Sequence, residues 1–164
     1  MKALQPPDSH HLKAAQGWLE LGNHNEANEE LKLISLEWRF HPEVLLARFE
    51  IYAKCGQWDF AYTIAHGMVA LVPNEASGWI KRSVALHKLR RTPEAWQSLL
   101  PAATKFPQNV TVAYDLARYA CQLGKFGDAF RWLERAKQIA DPHSVKQMAR
   151  KDPELEPLWE LSAK

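Results

Sequence analysis

Residues 122–130 read QLGKFGDAF, with Gly124 five places before Ala129. The stretch LGNHNEAN, residues 21–28, repeats the pair as Gly22 and Ala27, and CGQWDFAY, residues 55–62, repeats it as Gly56 and Ala61. Ala27, Ala61, Ala95 and Ala129 stand 34 residues apart each time, and the glycine slot keeps the same period as Gly22, Gly56, Arg90 and Gly124. A fixed period of this length marks stacked helical hairpins.

The second copy shows what the period encodes. Leu45, Phe49 and Tyr52 are spaced for one face of a helix, and Ala61, Ala65, Met68 and Val72 for the face of another. Gly56 ends the first helix, because glycine accepts a left-handed backbone without steric cost. Ala61 sits where the two helices cross, and a larger side chain there would push them apart. Pro73 closes the copy. The third copy keeps the scheme with Trp79, Ala95, Leu99, Ala102 and Pro107. Arg90 replaces glycine there, so a turn of different geometry is expected, with Thr92 as N-cap and Pro93 at the first helical position. Pro101 lies inside the second helix and should bend it. The fourth copy has Tyr114, Leu116, Gly124, Phe126, Ala129, Leu133 and Ala136. The first has His11, Ala15, Trp18, Gly22, Ala27, Leu31 and Ile34, but Arg39 fills its proline slot, so its second helix should run on through LISLEWRF.

The whole chain has 164 residues, enough for one domain with a real core. Apolar residues are 46% and net charge is +2, which gives no bulk attraction to nucleic acid or membrane. Residues 1–50 carry −3, residues 51–105 +4 and residues 106–164 +1, an acidic start and a basic middle. No run is long enough for a membrane span, and the N-terminus lacks a secretory apolar region, so a cytoplasmic protein is expected. Cys55 and Cys121 are too few for a disulfide framework and are expected to be buried small residues. The histidines show no metal-ligand spacing. No nucleophile elbow, phosphate loop or paired carboxylates appear, so neither an enzyme nor a cofactor is expected.

The aromatic early in the first helix, the turn glycine, the crossing alanine and the closing proline resemble the tetratricopeptide-repeat pattern. WRFHPEV, GWIKRSVALHKL, EAWQSLLPAATKFP and DPELEPLW together resemble short bacterial proteins of that family. The resemblance implies an all-α, right-handed α-solenoid of four repeats, at 8–41, 42–75, 76–109 and 110–143. Residues 1–7 would be a flexible tail and residues 144–164 capping helices. In that tail, SVKQMARK reads as one short helix, and Asp152-Pro153-Glu154 as the start of another with Leu155, Leu158 and Trp159 on its apolar face.

The resemblance also implies a concave groove lined by the first helix of each repeat, where family members bind peptides. Its positions would be Leu12 and Gln16, then Leu46, Glu50 and Lys54, then Ile80, Lys81, Val84, His87 and Lys88, then Tyr114, Asp115, Arg118 and Gln122. Family members that clamp a C-terminal carboxylate use Lys, Asn and Arg at positions that here hold Leu12, Gln16, Ala47, Ser77 and Lys81, so that subtype is not expected. The basic run KRSVALHKLRR, residues 81–91, reads as a helix C-terminus complemented by cations. Arg48 and Arg82, where the family has leucine, should meet carboxylates or carbonyls between repeats. Trp18, Trp58 and Trp79 fall at core positions, while Trp38, Trp96 and Trp132 could be exposed on the convex side. The expected role is a non-catalytic module that binds a peptide or helix of a partner protein, with no nucleic acid and no membrane insertion. A chaperone for export substrates resembling those of type III secretion, and a scaffold that self-assembles as a homo-oligomer, are the alternatives.

Overall fold

In a computed structural model, residues 3–162 are described, so the ends of the expected tail and cap lie outside the described residues. Among the described residues ten α-helices follow one another: α1 (Asp8–Glu20), α2 (His24–Leu33), α3 (Pro42–Lys54), α4 (Trp58–Leu71), α5 (Ala76–Lys88), α6 (Thr92–Lys105), α7 (Val110–Gln122), α8 (Phe126–Ile139), α9 (Pro142–Lys151) and α10 (Glu156–Ser162). Short 3-10 turns lie at Leu36–Trp38 and Pro153–Leu155. The chain packs as two compact units, one ending at Pro73 and the other beginning at Asn74.

The helix pairs α1–α2, α3–α4, α5–α6 and α7–α8 are hairpins with one shared turn. In each, the last residue of the turn donates to a carbonyl five back: Asn23 to Trp18, Gln57 to Tyr52, Arg91 to Leu86 and Lys125 to Ala120, at 2.8–2.9 Å. The residue before it donates three back, as Gly22 does to Leu19 and Arg90 to His87. This paired closure satisfies the last carbonyls of the helix and requires a left-handed residue between. Gly22, Gly56 and Gly124 supply it at φ 75°, 70° and 70°. Arg90 supplies it at φ 63°. The third turn therefore has the same geometry as the others, not a different one, and the carbonyl closure holds an arginine in a conformation that costs an L-residue roughly 1–2 kcal/mol. Thr92 is the first residue of α6 and not its cap; its hydroxyl meets His87 Nδ1 at 2.9 Å. α6 runs without interruption past Pro101.

Ala27, Ala61, Ala95 and Ala129 are all fully buried, as the crossing requires. In the first unit α1, α2 and α3 share a core of Leu12, Ala15, Ala27, Leu31, Ile34, Val44, Ala47 and Ile51, with Trp18 and Trp38 packed at its edge. α2 stops at Leu33, shorter than expected. Ile34 is extended, and buried Asp8 accepts from Ser35 N–H at 2.7 Å and from Ser35 Oγ at 2.9 Å. That carboxylate takes the backbone out of the helix. His41 then caps α3, accepting from the Glu43 amide. In the second unit α7 is the most deeply set helix: Val112, Ala113, Leu116, Ala117, Tyr119 and Ala120 are buried against α5, α6 and α8. α9 packs on α8, and the chain then turns back so that Pro153–Leu155 lies on α7.

Candidate partner-binding site

The expected groove residues fall on α1, α3, α5 and α7. In the first unit Gln16 and Lys54 are exposed, and Leu46 and Glu50 are half-buried. Leu12 is a correction: it is 4% exposed inside the α1–α2–α3 core, because α1 turns that face inward. In the second unit Ile80, Lys81, Val84 and His87 are half-buried on α5, and Lys88 is exposed.

On α7 the surface is occupied by the chain itself. Tyr114 is buried, and its hydroxyl donates to Asp152 Oδ2 at 3.0 Å. Arg118 lies 3.1 Å from Asp115 Oδ1, 3.2 Å from Asp152 Oδ2 and 2.7 Å from Glu154 Oε2. Gln122 donates to the Glu154 carbonyl at 2.7 Å. His87 Nε2, reaching over from α5, lies 3.1 Å from Glu154 Oε1. These four side chains sit at the expected groove positions of α5 and α7, and Tyr114, Arg118, Gln122 and His87 hold the segment after α9. Tyr114 is thus corrected from an open groove residue to a ligand of Asp152, and Asp115 from a groove residue to a buried counter-ion. The family resemblance placed the four on one expected surface. It carried no sign that the far end of the chain returns to cover them, since residues 152–158 lie outside the repeat.

The electrostatics follow from burial. Desolvation raises the Asp115 carboxyl, and Arg118 offsets only part of it. Burial works upward on Glu154 too, but the His87 hydrogen bond and the Arg118 and Lys88 charges outweigh it and hold Glu154 below its ordinary value. Burial and Asp152 push the Tyr114 phenol above its usual range. Tyr119, packed on the His87 ring at 5.0 Å and hydrogen-bonded to Ser83 Oγ at 3.3 Å, is pushed up likewise by burial.

Other expected positions resolve as follows. Arg48 donates to the Leu31 carbonyl across repeats, and Arg82 to the Ser98 carbonyl within its own hairpin while lying 5.0 Å over the Trp79 ring. Trp96 is buried rather than exposed, under Lys125 at 5.3 Å. It floors a cleft of about 570 Å3 on α6 and α8, with Leu100, Trp132, Arg131 and Arg135 at its walls. Cys55 is exposed and Cys121 buried, so the expectation of two buried thiols holds for one. Among the described residues no three His, Cys, Asp or Glu side chains converge to hold a metal ion, and no helix is long and apolar enough to cross a membrane.

No protein-family model and no curated protein matches the sequence. Solved structures do. A thermophilic tetratricopeptide-repeat protein of Thermus thermophilus is 19% identical with a TM-score of 0.74, over 94% of this chain and 82% of that one. MamA (residues 41 to the end) from Desulfovibrio magneticus RS-1 is 18% identical with a TM-score of 0.73, over 96% and 92%. The APC/C hetero-tetramer Cut9–Hcn1 matches at 18% identity and a TM-score of 0.70, over 94% of this chain and 29% of that one. With four 34-residue hairpins built on one turn and one crossing, the chain has the tetratricopeptide-repeat fold.

Proposed function

We propose that this protein is a non-catalytic interaction module that binds a segment of a partner protein on the first helices of its hairpins. The observation that carries the reading is the grip on residues 152–155. Side chains at groove positions of α5 and α7 hold a non-repeat stretch of chain by hydrogen bonds and charge, which is what peptide recognition asks of such a surface. The similarity to a chain in the Cut9–Hcn1 hetero-tetramer supports a partner-holding role.

The test is affinity capture beside two folded variants. Lys81→Glu with Lys88→Glu reverses charge on α5, and Arg131→Glu with Trp132→Ala alters the cleft on α6 and α8. A partner lost only by the α5 variant supports the reading. A partner lost only by the cleft variant moves the site to the second helices and overturns it.

A second reading has one observation in its favour. Leu33, Leu36 and Phe40, close together in sequence in the first unit, are 62%, 74% and 69% exposed, and exposed apolar side chains favour self-assembly. Of the tryptophans expected for that role, Trp96 is buried while Trp38 and Trp132 are half-buried. A chain that stays monomeric by light scattering at high concentration rules the scaffold out.

A further inference from the structure

The segment that follows α9 has the chemistry of a ligand. It presents two carboxylates, Asp152 and Glu154, to an arginine, a histidine and a phenol, offers the Glu154 backbone carbonyl to the Gln122 amide, and buries Leu155 and Leu158 completely behind them. Yet the fit is imperfect. Arg118 Nε lies 3.2 Å from Asp152 Oδ2 and Glu154 Oε2 lies 2.7 Å from Arg118 Nη2, yet neither buried atom, Nε nor Oε2, makes a hydrogen bond. Buried charged groups held off-axis forfeit much of what an aligned pair gives. We propose that the α5–α7 surface around Arg118 is a receptor for an acidic segment of a partner protein, two carboxylates beside an aliphatic anchor, and that residues 152–158 are its built-in competitor.

The proposal rests on the interaction-module reading and adds the chemistry and the gate. The charges explain the choice of ligand. With the segment lifted, Arg118 keeps the Asp115 carboxylate and loses those of Asp152 and Glu154. The vacated surface is then short of anions, and an acidic segment restores them. The tether sets the threshold. A segment joined directly to α9 acts on its own site at an effective concentration on the order of millimolar, so a free partner must bind the open surface far more tightly than the resident does. A partner that aligns with Arg118 Nε has that advantage available.

The test uses the full chain and a fluorescent peptide of residues 150–160, RKDPELEPLWE, read by anisotropy. Two opened variants are used, Asp152→Asn with Glu154→Gln, and Leu155→Ser, each checked for helix content and for lost amide protection over 152–158. The peptide is expected to bind at least one opened chain about tenfold or more tightly than the wild type, since the tethered competitor is gone. Adding Arg118→Glu to the opened chain should abolish binding, and a peptide with Asn and Gln in place of its two carboxylates should not bind. Failure of both opened, folded chains to bind overturns the proposal, as does equal binding to wild type and opened chains. A wild type that dimerises and is made monomeric by the peptide also overturns it, by making a second copy the occupant. Partner capture through α5 can still succeed in any of these cases, which separates failure of the gate from failure of the module reading.

Discussion

At the residue scale, Arg90 is the place where sequence and backbone disagree most. Three turns use glycine at φ near 70° and the fourth forces arginine to φ 63°. Arg90→Gly removes the steric cost of about 1–2 kcal/mol, less the entropy that glycine adds to the unfolded chain, so a net gain of about 0.5–1 kcal/mol is expected in denaturant unfolding. The identity of Arg90 suggested another turn. What decides instead is the hydrogen-bond closure, in which Arg90 and Arg91 donate to His87 and Leu86 as the other turns do. Asp8 was equally illegible. Nothing in DSHHL announces that its carboxylate accepts from Ser35, 27 residues away. Asp8→Ala leaves the Ser35 amide without this charged acceptor, and a loss of about 1–3 kcal/mol in the same measurement is expected.

At the scale of elements, the hairpins were legible because each needs only a local turn and one crossing. Ala61→Trp overpacks the α3–α4 crossing and should destabilise by about 1–3 kcal/mol; an unchanged melting midpoint contradicts the crossing. The path of residues 152–158 was not legible. Its helix signals, Asp152 before Pro153 and Leu155, Leu158 and Trp159 on one face, describe the segment but not its destination, which is set by tertiary pairing with Arg118. That pairing has a pH signature. Glu154 is depressed in the folded state, so its contribution is complete above its ordinary value of 4.5 and is lost as pH falls through its lower folded value. Asp115 is raised, so its burial cost disappears as it protonates at higher pH than an ordinary aspartate. Acidification below the ordinary Glu154 value of 4.5 should therefore loosen residues 152–158 through Glu154, while α7 gains from a neutral Asp115. Hydrogen exchange over both stretches checks this, and Glu154→Gln should flatten the step in the tail.

At the scale of the whole molecule, the 34-residue period told the fold class, and the solved tetratricopeptide structures bear it out at less than 20% identity. What periodicity cannot encode is which surfaces remain open, because exposure depends on the segments outside the repeat. Trp96 disappears under Lys125, while Leu36 and Phe40 stand out in a linker the period does not govern. If these two carry self-association, Leu36→Asp with Phe40→Ser should shift sedimentation toward a single monomer species with the helix content unchanged. Finally, the two cysteines make the protein its own reporter. Cys55 is open to a thiol reagent, whereas Cys121 sits on α7 with its thiol pushed up by burial and turned toward the backbone of Leu158. Alkylation should therefore proceed in two steps, a fast one at Cys55 and a slow one at Cys121. The slow rate counts the excursions in which the tail lifts, a clock read without any mutation.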